Sequence, residues 1–417
     1  MRLLQFLPHR ERFLPVQEAT LLEWVLEDPR LSPGERADLR LWFEMVRARY
    51  HHEFRRQLME LVALYDPFDP DRDTLPLATI PADELGPLRA RLGEAFARLL
   101  NEGNYQELPR DQIVSCVELQ TSTGLTVQAD LEEYEEVRAF YRGIREQWRY
   151  RRDRLRPWKR IGQEIHTLSR VALLIRLKRD PDHVLLKLFK NVVAEDLEMI
   201  LPQVRICMRW LDMLKIGSSA AGGVATAGWK AFTAAILSPW VFLVVILGFG
   251  GAMVKAIFSF FASRTRYMHR LASNLYFQNL ANNRSVLALL VESAEAEEAK
   301  EILLAYSTLY VERDQEYTIE QLDRRVEGWL RGRLNREIDF EVDDAVEKLI
   351  EKGLVIERQL ADGRRVLKVY DLPSSLRRLD EAWDNFYNPP RPPQTEDRLA
   401  DQEGPHFSRP LPRRTGP

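Results

Sequence analysis

The sequence predicts an α+β multidomain membrane protein, with a helical to α+β N-terminal region, a two-helix transmembrane hairpin and a C-terminal winged-helix-like domain. Three observations carry that expectation. The stretch "AAILSPWVFLVVILGFGGAMV" at 234–254 is apolar enough for a bilayer. Residues 20–65 repeat apolar side chains at helical spacing, and residues 319–371 read as helix, helix and hairpin.

At 417 residues the chain has room for several domains. Lys and Arg total 60 against 63 Asp and Glu, a net charge of -3, which argues against nucleic acid binding along the whole length. The 2 cysteines, Cys116 and Cys207, lie far apart, so a disulfide framework or cysteine zinc site is not expected and a reducing compartment fits. The first residues become charged at His9–Arg12, too soon for the apolar core of a signal peptide.

Taken in order, residues 1–105 form a mainly helical region. Ser32, Pro33 and Glu35 make an N-cap, a first helical position and a capping box. Trp42, Phe43, Val46, Tyr50, Phe54, Leu58 and Leu61 then recur at spacings of three and four, as one buried helical face does. A further helix is expected over 84–102. Residues 106–202 change texture to short β-branched and aromatic runs, which predict a small sheet with a turn at Gly143.

The transmembrane hairpin is expected over 213–262. Between Lys215 and Arg264 only Lys230 and Lys255 are charged. A spanning helix needs about 20 apolar residues, so two fit, broken at Ser238–Pro239. Small residues at spacing four, among them Gly222 with Thr226, Gly223 with Ala227, and Gly248 with Ala252, predict close packing of the two helices. Lys230 is the intramembrane charge. Arg205, Arg209 and Lys215 before the hairpin and Arg264, Arg266 and Arg270 after it place both ends on the cytoplasmic side.

Helices are expected over 263–312, with Thr265–Leu290 continuing out of the membrane. In 313–372, Thr318 caps one helix, "EVDDAVEKLIEKG" makes a second, and two strands flank Asp362–Gly363, in winged-helix order. The Pro-rich tail 388–417 predicts disorder.

Several stretches resemble a known family: "RERFLPV" at 11–17, "YHHEFRRQLMELVALYDPFDPD" at 50–71, "NYQEL" at 104–108, "FYRGIRE" at 140–146, "LKLFKNVVAEDLEMILP" at 186–202 and "YFQNLANNRSVL" at 276–287. On these the chain is similar to the domain-of-unknown-function family numbered 3754, which includes transmembrane-143-like proteins. The resemblance spans about residues 5–372. It implies a membrane protein with a two-helix hairpin and cytoplasm- or matrix-facing domains, with no established activity and no catalytic residues to carry over.

No motif names a reaction, and no catalytic, cofactor or metal residue is expected. "GVATAGWK" at 223–230 lacks the Gly-Lys-Ser/Thr ending of a phosphate-binding loop. "DPDRDT" has Thr74 and Ile80 where a calcium loop needs Gly and Glu. Glu292, Glu295 and Glu298 share a helical stripe, but no Glu-x-x-His accompanies them, and a solvated face is expected. His51 and His52 point about 100° apart on a helix and do not easily share a metal.

The basic segment 142–160 sets nine Arg and Lys against two acids. The segment reads as a solvated strand face or, with Arg145, Trp148, Arg149, Arg151, Arg152, Arg154, Arg156, Trp158, Lys159 and Arg160 as candidates, as a contact for anionic lipid headgroups, ahead of single-stranded nucleic acid. The second helix of the winged-helix segment is acidic and would repel duplex DNA, so protein docking is favoured there and nucleic acid is not an expected partner. The reading as a whole is a membrane-anchored scaffold for protein partners, multi-pass in a bacterial inner membrane or, in a eukaryote, a mitochondrial one. The alternatives are a homo-oligomeric pore or transport component and a lipid-acting enzyme.

Overall fold

The protein is described by a computed structural model, which covers residues 10–75, 80–109, 126–129, 133–152, 160–194, 204–207, 276–360 and 363–386, with isolated residues in 197–201 and 258–269. The N-terminal helices are α1 (Glu18–Leu26), α2 (Pro33–Tyr65) and α3 (Ala82–Glu102). The capping box at the start of α2 is present: Glu35 N–H donates to Ser32 Oγ at 3.3 Å and Ser32 N–H to Glu35 Oε2 at 2.9 Å. These bonds satisfy amides that have no partner inside the helix.

Strands β1 (Gln106–Leu108), β3 (Tyr134–Arg152), β4 (Arg160–Leu177), β5 (Asp180–Val193) and β7 (Asn279–Asn282) form one antiparallel sheet in the order β1-β3-β4-β5-β7. Strands β2 (Thr126–Ala129) and β6 (Val204–Cys207) pair separately. One sheet face, with Phe140, Ala172, Leu174, Leu186 and Leu188, packs on the helices. There Phe96 of α3 meets Phe140 edge-on at 6.0 Å, and the Tyr65 hydroxyl donates to Val184 O at 2.8 Å. The other face buries Val171, Leu173, Ile175 and Phe189 beneath Leu197, Ile200 and Leu201.

Helix α4 (Arg284–Val311) is the axis of the helical layer. Behind it come α5 (Ile319–Leu334), α6 (Val342–Glu351), the hairpin β8 (Val355–Gln359) and β9 (Arg365–Val369), and α7 (Leu372–Asp384). Buried side chains from Leu14 to Leu379 form one continuous cluster, so the helix–helix–hairpin unit shares a core with the N-terminal helices. Trp42 of α2 stacks on Tyr306 of α4 with centroids 3.9 Å apart.

Three expectations are corrected. No described helix is long and apolar enough to cross a membrane. The helices that are long enough carry charge: α4 alone includes Glu292, Glu295, Glu297, Glu298, Lys300 and Glu301, which a bilayer centre would penalise heavily. What the structure supports is an α+β fold with an antiparallel sheet; the transmembrane hairpin, the integral-membrane scaffold or pore, and the multi-pass location are withdrawn. Gly222, Gly223, Thr226, Lys230, Gly248 and Ala252 lie outside the described residues, as does the tail 388–417.

Gly143 makes no turn. It sits inside β3 at φ +73, across from Ser169, where an added Cβ would lie 2.8 Å from the Ser169 Cβ. Glycine is required there because the strands approach too closely for a side chain in a left-handed conformation.

Residues 279–282 are a strand rather than part of a helix over 265–290. The edge of β5 needs a partner, and Asn283, at φ 50, turns the chain into α4 while its N–H donates to Leu186 O at 2.7 Å.

Candidate functional site

Helix α6 presents two polar flanks around a packed core. Val342, Ala345, Val346 and Leu349 are buried, and the helix packs mainly against α4. Asp343 and Asp344 in the first turn and Lys348 in the last suit the helix dipole. Gly353, at φ +67, ends the segment in the left-handed conformation. The outward stripe is Asp343, Glu347, Ile350 and Glu351, all exposed and spaced i, i+4, i+7, i+8. Asp344, Lys348 and Lys352 occupy the flank facing α4 and α2.

That flank closes over a buried carboxylate cluster. Glu298 and Glu301 on α4 are only 2% and 3% exposed. The Lys348 ammonium bonds both Glu298 and Asp344. Glu301 Oε1 accepts from Asn104 Nδ2 at 2.7 Å. Asn104 reaches it because α3 ends at Glu102 and Asn104 takes φ 59, a conformation that asparagine tolerates. Nearby, Glu102 accepts from Gln57 Nε2 at 2.8 Å, and Lys352 Nζ lies 3.1 Å from Glu53 Oε2. One oxygen from each of Glu298, Glu301 and Asp344 lies within 4.8 Å of the others.

The electrostatics follow from burial. Desolvation pushes the Glu298 carboxyl up to about 7 against the pull of Lys348. Burial raises Glu301 well above the usual carboxylate range, and the Glu298 charge adds to it. Glu102 is raised by burial too. Burial disfavours the Lys348 ammonium, but Glu298 and Asp344 outweigh that and raise its pKa. Four carboxyl groups thus surround one ammonium, an imbalance that a low-dielectric site penalises.

A second network lies on the adjacent face of the same turns of α4, one residue earlier in the chain. Lys300 Nζ donates to Leu14 O at 2.8 Å, Val16 O at 3.2 Å and Glu297 Oε1 at 2.7 Å. Arg142 sits over the Phe13 and Tyr105 rings at 4.5 and 4.7 Å. Beside it, Glu11 accepts from Ile144 N–H of β3, and Glu11 O accepts from Asp339 N–H at 2.8 Å. The segment 10–16 therefore straps the sheet, α4 and the C-terminal unit together.

Of the basic candidates, Arg145 and Trp148 are exposed on β3, Trp148 at 61%. Arg149, Arg151 and Arg152 lie on the same strand, and the register sets Arg152 opposite Arg160. Arg154, Arg156, Trp158 and Lys159 are outside the described residues. The solvated stripe expected at Glu292, Glu295 and Glu298 is corrected at Glu298, which α6 covers. Sequence reasoning missed Glu301, read Tyr50 only as part of the buried face of α2 and Asp344 only as one acid of an acidic helix, and brought none of them together. The only sequence signals were the i, i+3 pair Glu298–Glu301 and the i, i+4 pair Asp344–Lys348, both common on solvated helices.

Fold and site together define an α+β protein whose antiparallel sheet backs a helical layer with a buried carboxylate cluster. Residues 134–285, from β3 to the start of α4, match the model of the family described as a protein of unknown function (DUF3754). No solved structure matches the chain.

Proposed function

We propose that this is a docking protein that uses the outward face of α6 to bind a basic segment of a protein partner. The observation that supports it is the stripe Asp343, Glu347 and Glu351 around Ile350, which is 39% exposed while the inner face of the helix is fully packed. An apolar centre ringed by like charge matches the anatomy of a protein interface, where an apolar anchor gives affinity and rim charges steer the partner. Helix, helix and hairpin is an order used to read DNA, but acids on this face would be repelled by phosphates. Charge complementarity therefore selects a Lys- or Arg-rich protein segment.

Fluorescence anisotropy with a labelled peptide of Lys and Leu at helical spacing tests the reading. Binding is expected to weaken with salt and to fall about tenfold in Glu347→Lys/Glu351→Lys, about 1.4 kcal/mol. Tighter binding of duplex DNA than of the peptide, or indifference to the charge reversal, would overturn it.

A further inference from the structure

On the opposite flank of α6, and independently of the docking face, we infer that Glu298, Glu301 and Asp344 form a binding site for a hard divalent cation of the Mg²⁺ or Mn²⁺ class. Lys348 acts there as a built-in counter-ion that the metal displaces. The donor set carries the choice of cation. Among the described residues the cluster offers carboxylate oxygens only, without histidine or cysteine, and oxygen donors suit Mg²⁺, Mn²⁺ and Ca²⁺ rather than zinc or copper. Oxygens within 4.8 Å of one another are close enough to converge on a single ion with small side-chain rotations.

An acidic cluster alone would not make a site, and a second observation points to a ligand. Tyr50 of α2 is 3% exposed, and its buried hydroxyl has no hydrogen-bond partner. Among the charges acting on that hydroxyl, Glu298 is the strongest, followed by Glu53 of the same helix and then by Asp344 and Glu301. A buried hydroxyl within the field of these carboxylates and without a hydrogen-bond partner is suited to an ion's coordinated water. Rigid elements hold the donors: Glu298 and Glu301 are one turn apart on α4, and Asn104 already orients Glu301 by its 2.7 Å bond.

Lys348 explains how the site remains compatible with a folded, metal-free protein. Its ammonium lies between Glu298 and Asp344, where a cation would bind, and its side chain is 24% exposed, so it has a path to solvent. A divalent ion would replace a single positive charge by a double one among three carboxylates. Metal binding is then an exchange, and removing the lysine should strengthen it.

The experiment is Mn²⁺ titration of the full chain, followed by the loss of the free-ion electron paramagnetic resonance signal, with circular dichroism to confirm folding. Wild type is expected to bind a single ion saturably, Glu301→Gln to bind at least about tenfold more weakly, and Lys348→Met roughly tenfold more tightly. No saturable binding up to millimolar Mn²⁺, or binding unchanged in Glu301→Gln, overturns the site. A folded Lys348→Met that binds Mn²⁺ no better than wild type overturns the exchange. Should Lys348→Met fail to fold, the near-isosteric Glu301→Gln and the conservative Lys348→Gln carry the same comparisons.

Discussion

Lys300 Nζ lies 2.8 Å from the carbonyl oxygen of Leu14 and 2.7 Å from Glu297 Oε1, so one buried ammonium joins the middle of α4 to the N-terminal strap. Both side chains of the ion pair are almost fully buried, at 4% and 3% exposure. Such a pair is costly to break from one side, because the remaining charge stays buried. Lys300→Met is expected to destabilise the protein by about 3–5 kcal/mol. Replacing both partners, in Lys300→Met/Glu297→Leu, should recover part of that loss. Urea denaturation of the two variants checks this, and equal losses in both would show that the pair does not act as a unit.

Gly143 predicts a backbone effect in the centre of the sheet. Alanine there must adopt φ near +73 and place its Cβ 2.8 Å from that of Ser169. Gly143→Ala should cost roughly 2–4 kcal/mol, part from the left-handed conformation and part from the contact. Adding Ser169→Gly should relieve only the contact. A thermal melt of the single variant indistinguishable from wild type would exclude the strain.

Glu312 predicts a pH dependence. Hydrogen bonds from Arg325, Tyr317 and Arg30 hold its carboxyl at about 2, below its ordinary value of 4.5. Arg325 Nε donates at 2.9 Å and Arg30 Nη1 at 3.0 Å. A folded-state value below the unfolded one means that ionisation stabilises the fold. That contribution is complete above about pH 4.5 and is lost as pH falls toward 2. Glu312→Gln should lose about 2 kcal/mol at pH 6 and show a flatter stability profile between pH 4.5 and 2. Parallel profiles for variant and wild type would contradict it.

The elements most legible in the sequence were those set by local rules. The capping boxes at Ser32 and Thr318 start α2 and α5, because the amides they satisfy belong to the same helical turn. The apolar spacing from Trp42 to Leu61 marks the buried face of α2. Less legible was β7, whose residues "NLAN" carry no strand pattern of their own and pair because β5 needs an edge partner. Gly143 reads as a turn from sequence, since nothing local tells a turn glycine from one required by a neighbouring strand.

The sequence by itself determined the starts of α2 and α5, the buried face of α2, the helix–helix–hairpin order and the acidity of α6, all properties of residues within a few positions of one another. It also led to a membrane hairpin that no described helix supports. Only the tertiary structure decided that Glu298 and Glu301 are buried. They lie about 43 to 50 residues before Asp344 and Lys348 and nearly two hundred after Asn104, so no local pattern reveals who covers them. Burial is a property of the neighbours that packing supplies, and it turns a stripe of ordinary surface acids into a cluster of carboxylates around a single ammonium.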